Sequence, residues 1–176
     1  LTDVYIGEVW LCAGQSNMDM PVKGFQNQPV NGSQEAILNS NNNLLRVFKV
    51  GRNSSLTPLD NVSGEWKIAN SQTVPNFSAT AYFFGNLIQK KIQVPVGLIT
   101  TSWGASKAEA WTDAATLKEF KYVKLPTKLP KKRPQKIPTL LYNAMLNPLV
   151  GYTMKGAIWY QGESNAGSDA PLYGKY

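Results

Sequence analysis

An α/β fold built on a mostly parallel sheet, covered on both faces and joined by right-handed crossovers, is what this sequence predicts. Three observations carry that expectation. Short, uninterrupted apolar runs recur along the chain, as buried parallel strands require. Between them lie segments that open on helix-capping residues. The length of 176 residues, with 43% hydrophobic content, is enough for one domain with a real core.

Glu8 to Ala13 holds the first such run, Val9-Trp10-Leu11-Cys12-Ala13. Ser33 to Asn39 begins like a helix, with Ser33 ahead of Glu35 and an apolar centre. Leu44 to Val50 reads as a second strand. From Gly51 to Asn76 the chain is polar and punctuated by Gly51, Pro58, Gly64 and Pro75, which predicts loop with a short strand around Trp66. Ser78 then caps a helix running to about Lys91, with Thr80, Phe84, Leu87, Ile88 and Lys91 on one face and a basic last turn that suits the helix dipole. A third strand, Val94 to Thr100, follows at once. Thr112 and Asp113 open another helix over Ala114 to Phe120. Pro138 to Leu146 is predicted helical, with proline in the first turn and Pro148 as the stop. Gly156 to Gln161 forms the fourth apolar strand, and a last helix opens at Pro171. No internal repeat is present.

Composition removes several kinds of chemistry. Histidine is absent, so within this chain there is no Ser-His-Asp or Cys-His triad, no histidine metal site and no histidine pH switch. Cys12 is the single cysteine, which leaves no internal disulfide and no CxxC motif. No apolar run nears the roughly 20 residues of a bilayer span, and the N-terminus lacks a signal peptide's layout. The chain starts at Leu1 rather than methionine and stops just past a helix start, so a cut at both ends is expected. Four N-x-Ser/Thr sequons, at Asn31, Asn53, Asn61 and Asn76, are compatible with a secreted glycoprotein.

Charge is local. Of 18 Lys and Arg, eight (Lys118, Lys121, Lys124, Lys128, Lys131, Lys132, Arg133 and Lys136) share one window with four prolines and a single acid, Glu119. That window, 118–138, reads as an extended loop insertion. A solvated insertion fits it better than a polyanion contact, because only Tyr122 offers a stacking platform. Nucleic acid is not an expected partner.

In open parallel sheets ligands bind beyond the carboxyl ends of the strands, which selects three turns. Gly14 to Asn17 places Ser16 just past the first strand, where Gly14 permits a tight turn and the following N–H groups can face an oxyanion. Ser102 to Ser106 contains Gly104, where a backbone N–H can approach a ligand closely. Around Gly162 to Asn165, Gln161 and Asn165 are candidate oxyanion donors, and Glu163 is a candidate orienting group or base.

The strings GEVWLCAGQSNM (7–18), VPVGLITTSWGAS (94–106), EAW (109–111), LYNAMLNPL (141–149) and KGAIWYQGESNA (155–166) resemble the sialate O-acetylesterase family of SGNH hydrolases. The resemblance implies a flavodoxin-like three-layer α/β/α fold, incomplete in this chain, with residues 1–176 forming part of an esterase domain. It implies Ser16 as nucleophile, Gly104 as a backbone oxyanion donor and Gln161 as the side-chain donor, with Asn165 as the other candidate. Gln15, Asn17, Trp111, Glu163 and Asn165 are then expected around the substrate. The implied reaction is removal of O-acetyl groups from sugars, most naturally sialic acid, through an acyl-enzyme that needs neither metal nor organic cofactor. An acetyl xylan esterase or a non-catalytic carbohydrate-binding fragment are the competing readings. The family's general base is a histidine, so a downstream segment or a second chain is expected to supply it, and this chain alone is expected to be inactive. A secreted, periplasmic or lysosome-like location follows from the same resemblance.

Overall fold

The first apolar run forms a strand, β1 (Glu8–Gly14), paired in parallel on both sides. Its alternate residues serve two separate cores. Trp10 and Cys12 pack with Leu45, Val47, Val96, Leu98 and Tyr82, whereas Val9 and Leu11 pack with Ile99, Trp111, Leu141 and Met145. Both faces of the strand are therefore covered, which is why its sequence shows no polar alternation. The structure, a computed structural model, describes residues 2–167 and 170–174.

After β1 come α1 (Ser16–Asp19), α2 (Ser33–Leu38), β2 (Asn42–Lys49), β3 (Trp66–Ala69), α3 (Ala79–Ile92), β4 (Val96–Ser102), α4 (Ala114–Leu117), β5 (Gly156–Tyr160) and α5 (Ala170–Tyr173). The five strands make one sheet in the order β3-β2-β4-β1-β5. All pairings are parallel except β2 with β3, a short antiparallel edge. Helix α3 covers one face, and the helical segment around Leu141–Met145 covers the other. Among the strands that carry the three selected turns, the spatial order is β4-β1-β5. Taken over all four parallel strands, β2-β4-β1-β5, the order is second, third, first, fourth along the chain.

The structure corrects three local expectations. Ser78 does cap α3, its Oγ accepting from the Ala81 N–H at 3.1 Å. The buried face, however, is Ala81, Tyr82, Gly85 and Gln89, while Leu87 is exposed. A Cβ on Gly85 would lie 2.5 Å from the Leu98 side chain, so the helix makes its closest approach to β4 at Gly85, with Tyr82 buried beside it and Phe84 and Ile88 packed at the margin of the same core. Helix α4 ends at Leu117, not Phe120, because exposed Lys118, Glu119 and Lys121 provide no face to hold further turns on the core. The segment after Pro138 becomes helical only at Leu140, since Thr139 has a left-handed φ of 66°. It continues as a π-helical turn, Tyr142–Leu146, and a 3-10 turn, Asn147–Leu149, that contains Pro148. Pro148 enters at the start of a new turn, where its missing N–H costs nothing.

Cys12 is fully buried in the first core, and burial pushes its thiol up to about 12. Almost no thiolate exists at pH 8, and the thiolate is the reactive species. Cys12 is therefore expected to resist Ellman's reagent in the native protein and to react stoichiometrically in guanidinium. Fast labelling of the folded protein would contradict this packing.

Candidate active site

Register brings the three turns together. Gly14 at the end of β1 stands opposite Ser102 on one side and Tyr160 on the other. Ser16 and Gly104, each two residues further on, and Gln161, one residue further on, consequently emerge together at the carboxyl edge. Gly14 is needed there: its φ is +151°, and a Cβ would fall 2.1 Å from the Tyr160 carbonyl oxygen.

Ser16 is the first residue of α1 and its side chain is exposed. At that position its N–H has no acceptor within the helix. The Ala105 N–H donates to Ser16 Oγ across a long 3.4 Å, and a Cβ built on Gly104 would lie 3.5 Å from the same oxygen. The Gly104–Ala105 backbone thus lies against the hydroxyl, with no side chain intervening at Gly104. Ala105 holds a left-handed φ of 59° to make this turn.

Behind the serine lies a buried amide network. Gln15 is 3% exposed, and its Oε1 accepts from Gln161 Nε2 (3.1 Å), Gly162 N–H (3.3 Å) and Ser164 N–H (3.1 Å). Gln161 Nε2 also faces the Ser106 carbonyl at 3.0 Å and Asn165 Oδ1 at 2.8 Å. Asn165, 1% exposed, accepts from the Ala108 N–H at 2.9 Å and donates through Nδ2 to Glu109 Oε2 at 2.8 Å. These partners fix the amide orientations, because Gln15 Oε1 and Asn165 Oδ1 both accept from backbone N–H groups. They also leave Gln161 Oε1 buried with no hydrogen-bond partner among the described residues. Trp111 is buried, donates from its indole to Ser106 Oγ at 2.8 Å and meets Trp159 edge-to-face at 6.2 Å.

The residues read from the sequence are therefore gathered at one edge in two tiers. Ser16, Gly104, Asn17 and Glu163 lie toward solvent, and Asn17 Nδ2 donates to Glu163 Oε1 across the first and third turns. Gln15, Gln161, Asn165 and Trp111 form the buried support beneath them. Sequence reasoning missed Glu109, although it stands in the EAW string. It also missed Asp19, three residues beyond Ser16 and hence on the same helical turn. Asp19 is buried, accepts from Ser102 Oγ at 3.0 Å and pairs with Arg52, whose guanidinium lies 5.6 Å from the Trp103 ring centre. The one available signal was the i, i+3 spacing of Ser16 and Asp19; nothing local marked Arg52.

A parallel sheet with a serine, a bare glycine backbone and an amide-bearing turn at one carboxyl edge defines an α/β fold of the SGNH type. The chain belongs to the carbohydrate esterase, sialic acid-specific acetylesterase family, whose family model matches residues 6–175. It is 36% identical to the sialate O-acetylesterase of Homo sapiens over 177 residues, which cover 97% of this chain and 34% of the relative. The Mus musculus sialate O-acetylesterase is 34% identical over 206 residues, covering 97% of this chain and 37% of the relative. A crystal structure of a carbohydrate acetylesterase from Xanthomonas citri superposes with a TM-score of 0.81 at 37% identity, over 93% of this chain and 34% of that one. The chain spans about a third of the length of these relatives.

Proposed function

We propose that this chain supplies the nucleophile and oxyanion hole of a serine carbohydrate esterase that removes O-acetyl groups from sialic acid. The observation that carries this reading is the level register of β1, β4 and β5, which sets the Gly104–Ala105 backbone against Ser16 Oγ. Ser16 Oγ attacks the acetyl carbonyl. The N–H groups of Ser16 and Gly104 then take the charge of the tetrahedral oxyanion, its collapse breaks the bond to the sugar oxygen and expels the sugar hydroxyl with the proton taken from Ser16, and water later releases acetate from the acyl-enzyme.

Gln161 is the side-chain donor in this reading. Its Nε2 donates within the buried network, but two of its acceptors, Gln15 Oε1 and Asn165 Oδ1, also accept from backbone N–H groups, so they stay satisfied when one proton turns to an oxyanion. Asn165 Nδ2 is instead held by the buried Glu109 carboxylate, a charge-assisted bond that is harder to give up. Gln15 and Trp111 hold the turns from below, and Asn17 with Glu163 borders the sugar. The proton of Ser16 goes to a histidine outside these 176 residues, on a further segment or a second chain, since none stands within them. A secreted, periplasmic or lysosome-like compartment accords with the exposed positions of all four sequon asparagines. Among the described residues, no helix is long and apolar enough to cross a membrane.

The test compares a polypeptide of the relatives' length with the 176-residue chain on O-acetylated sialic acid and on acetylated xylan. The long form is expected to release acetate, preferentially from sialic acid, and the short chain to release none. Equal or better turnover of xylan would shift the substrate, and robust turnover by the 176-residue chain would overturn the assignment of the base.

A further inference from the structure

We infer that Arg52 is a specificity residue that recognises the carboxylate of an anionic sugar at the rim of this site, an assignment that rests on the esterase reading above. Arg52 follows β2, whose Lys49 stands opposite Thr100 of β4, so the chain leaves the sheet at the same carboxyl edge as Ser102 and Trp103. Its guanidinium is held from two directions. Asp19, whose side chain is 7% exposed, takes Nη2, and the Trp103 ring lies beneath the group at 5.6 Å. Asp19 is itself fixed by Ser102 Oγ and sits in the same four-residue helix as Ser16. Arg52 therefore stands between the nucleophile's helix and the oxyanion turn.

The arginine side chain stays 48% exposed above the buried carboxylate, so part of the guanidinium is open to solvent. The planar group has five N–H donors, and its hydrogen bond to Asp19 runs through Nη2. The remaining edge is preorganised by the carboxylate and the ring, which lowers the entropy lost when it engages a second carboxylate in the fork geometry arginine favours. Sialic acids carry an ionised carboxylate at neutral pH, whereas the acetylated pentoses of xylan carry none. An arginine so held distinguishes the two by charge, without touching the acetyl group.

The experiment uses the full-length protein and two substrates, O-acetylated sialic acid and the methyl ester of its carboxylate, which differ in that charge and one methyl group, with release of acetate as the readout. Arg52→Gln is expected to raise KM for the acid about 10- to 100-fold with kcat nearly unchanged, and to leave KM for the methyl ester within about twofold. Arg52→Lys keeps the charge but not the fork. It is expected to raise KM for the acid several-fold only, and it reads the same effect if the glutamine variant fails to fold. Equal loss on both substrates would make Arg52 a structural clamp and overturn the inference, as would no change on either. If the wild type releases acetate from neither sialate, the esterase reading fails and takes this one with it. Wild-type turnover of both, with an unchanged acid KM in the variants, removes Arg52 alone.

Discussion

Ser16→Ala, in a polypeptide of the relatives' length, is expected to lower acetyl-ester turnover by about 10⁴-fold or more and to abolish labelling by a fluorophosphonate. The size of the effect follows from the chemistry: without Oγ no acyl-enzyme forms, and what remains is the oxyanion hole acting on water. The variant should be clean. Ser16 is exposed, and its Oγ accepts only the long 3.4 Å contact from Ala105 among the described residues. Removing it should change stability by no more than about 0.5 kcal/mol. Mass spectrometry of the wild type should place the phosphonate on Ser16. Labelling or turnover that survives the substitution would exclude Ser16 as the nucleophile.

Gly14→Ala should produce the largest structural effect. The added Cβ would meet the Tyr160 carbonyl oxygen at 2.1 Å and its carbon at 2.7 Å, both backbone atoms, and the φ of +151° suits only glycine. Neither obstacle can move without parting β1 from β5, including the 3.0 Å bond from the Gln15 N–H to the Tyr160 carbonyl. Backbone strain and overpacking each cost about 1–3 kcal/mol, so a loss of about 3 kcal/mol or more is expected by urea unfolding. Activity should fall as well, because that seam sets Ser16 against the Gln161 turn. An unchanged unfolding midpoint would show that the two strands are not joined as described.

These effects could be anticipated only in part before the structure. The strand that ends at Gly14 was legible because both its faces are covered, and a two-sided apolar run records that directly. The three polar turns were legible because they stand at strand ends, where the ligand edge of a parallel sheet must lie. The face of α3 was placed off-centre: Phe84 and Ile88 of the expected set do pack on the core and Leu87 does not, because the closest approach to Leu98 needs the smallest residue, Gly85. Gln15 and Trp111 were expected beside the substrate, yet both are buried in hydrogen bonds. No rule of local spacing pairs Gln15 with Gln161, which stands 146 residues away.

Hydrophobic pattern, a local property, was thus enough to predict the α/β class, and the position of polar turns at strand ends was enough to select the ligand edge; Ser16 was singled out as candidate nucleophile only by the family resemblance of the string around it. Composition alone showed that these 176 residues contain no histidine to serve as a base. Folding decided what depends on distance in space. Parallel register levelled the ends of β1, β4 and β5, and the tertiary packing sorted the polar residues into a solvent tier and a buried support. It also carried Arg52, unmarked by any motif, across the sheet to Asp19 and Trp103. Hydrogen bonds and ion pairs are satisfied by whichever groups the packed backbone brings within about 3 Å, and only the assembled sheet determines which groups those are.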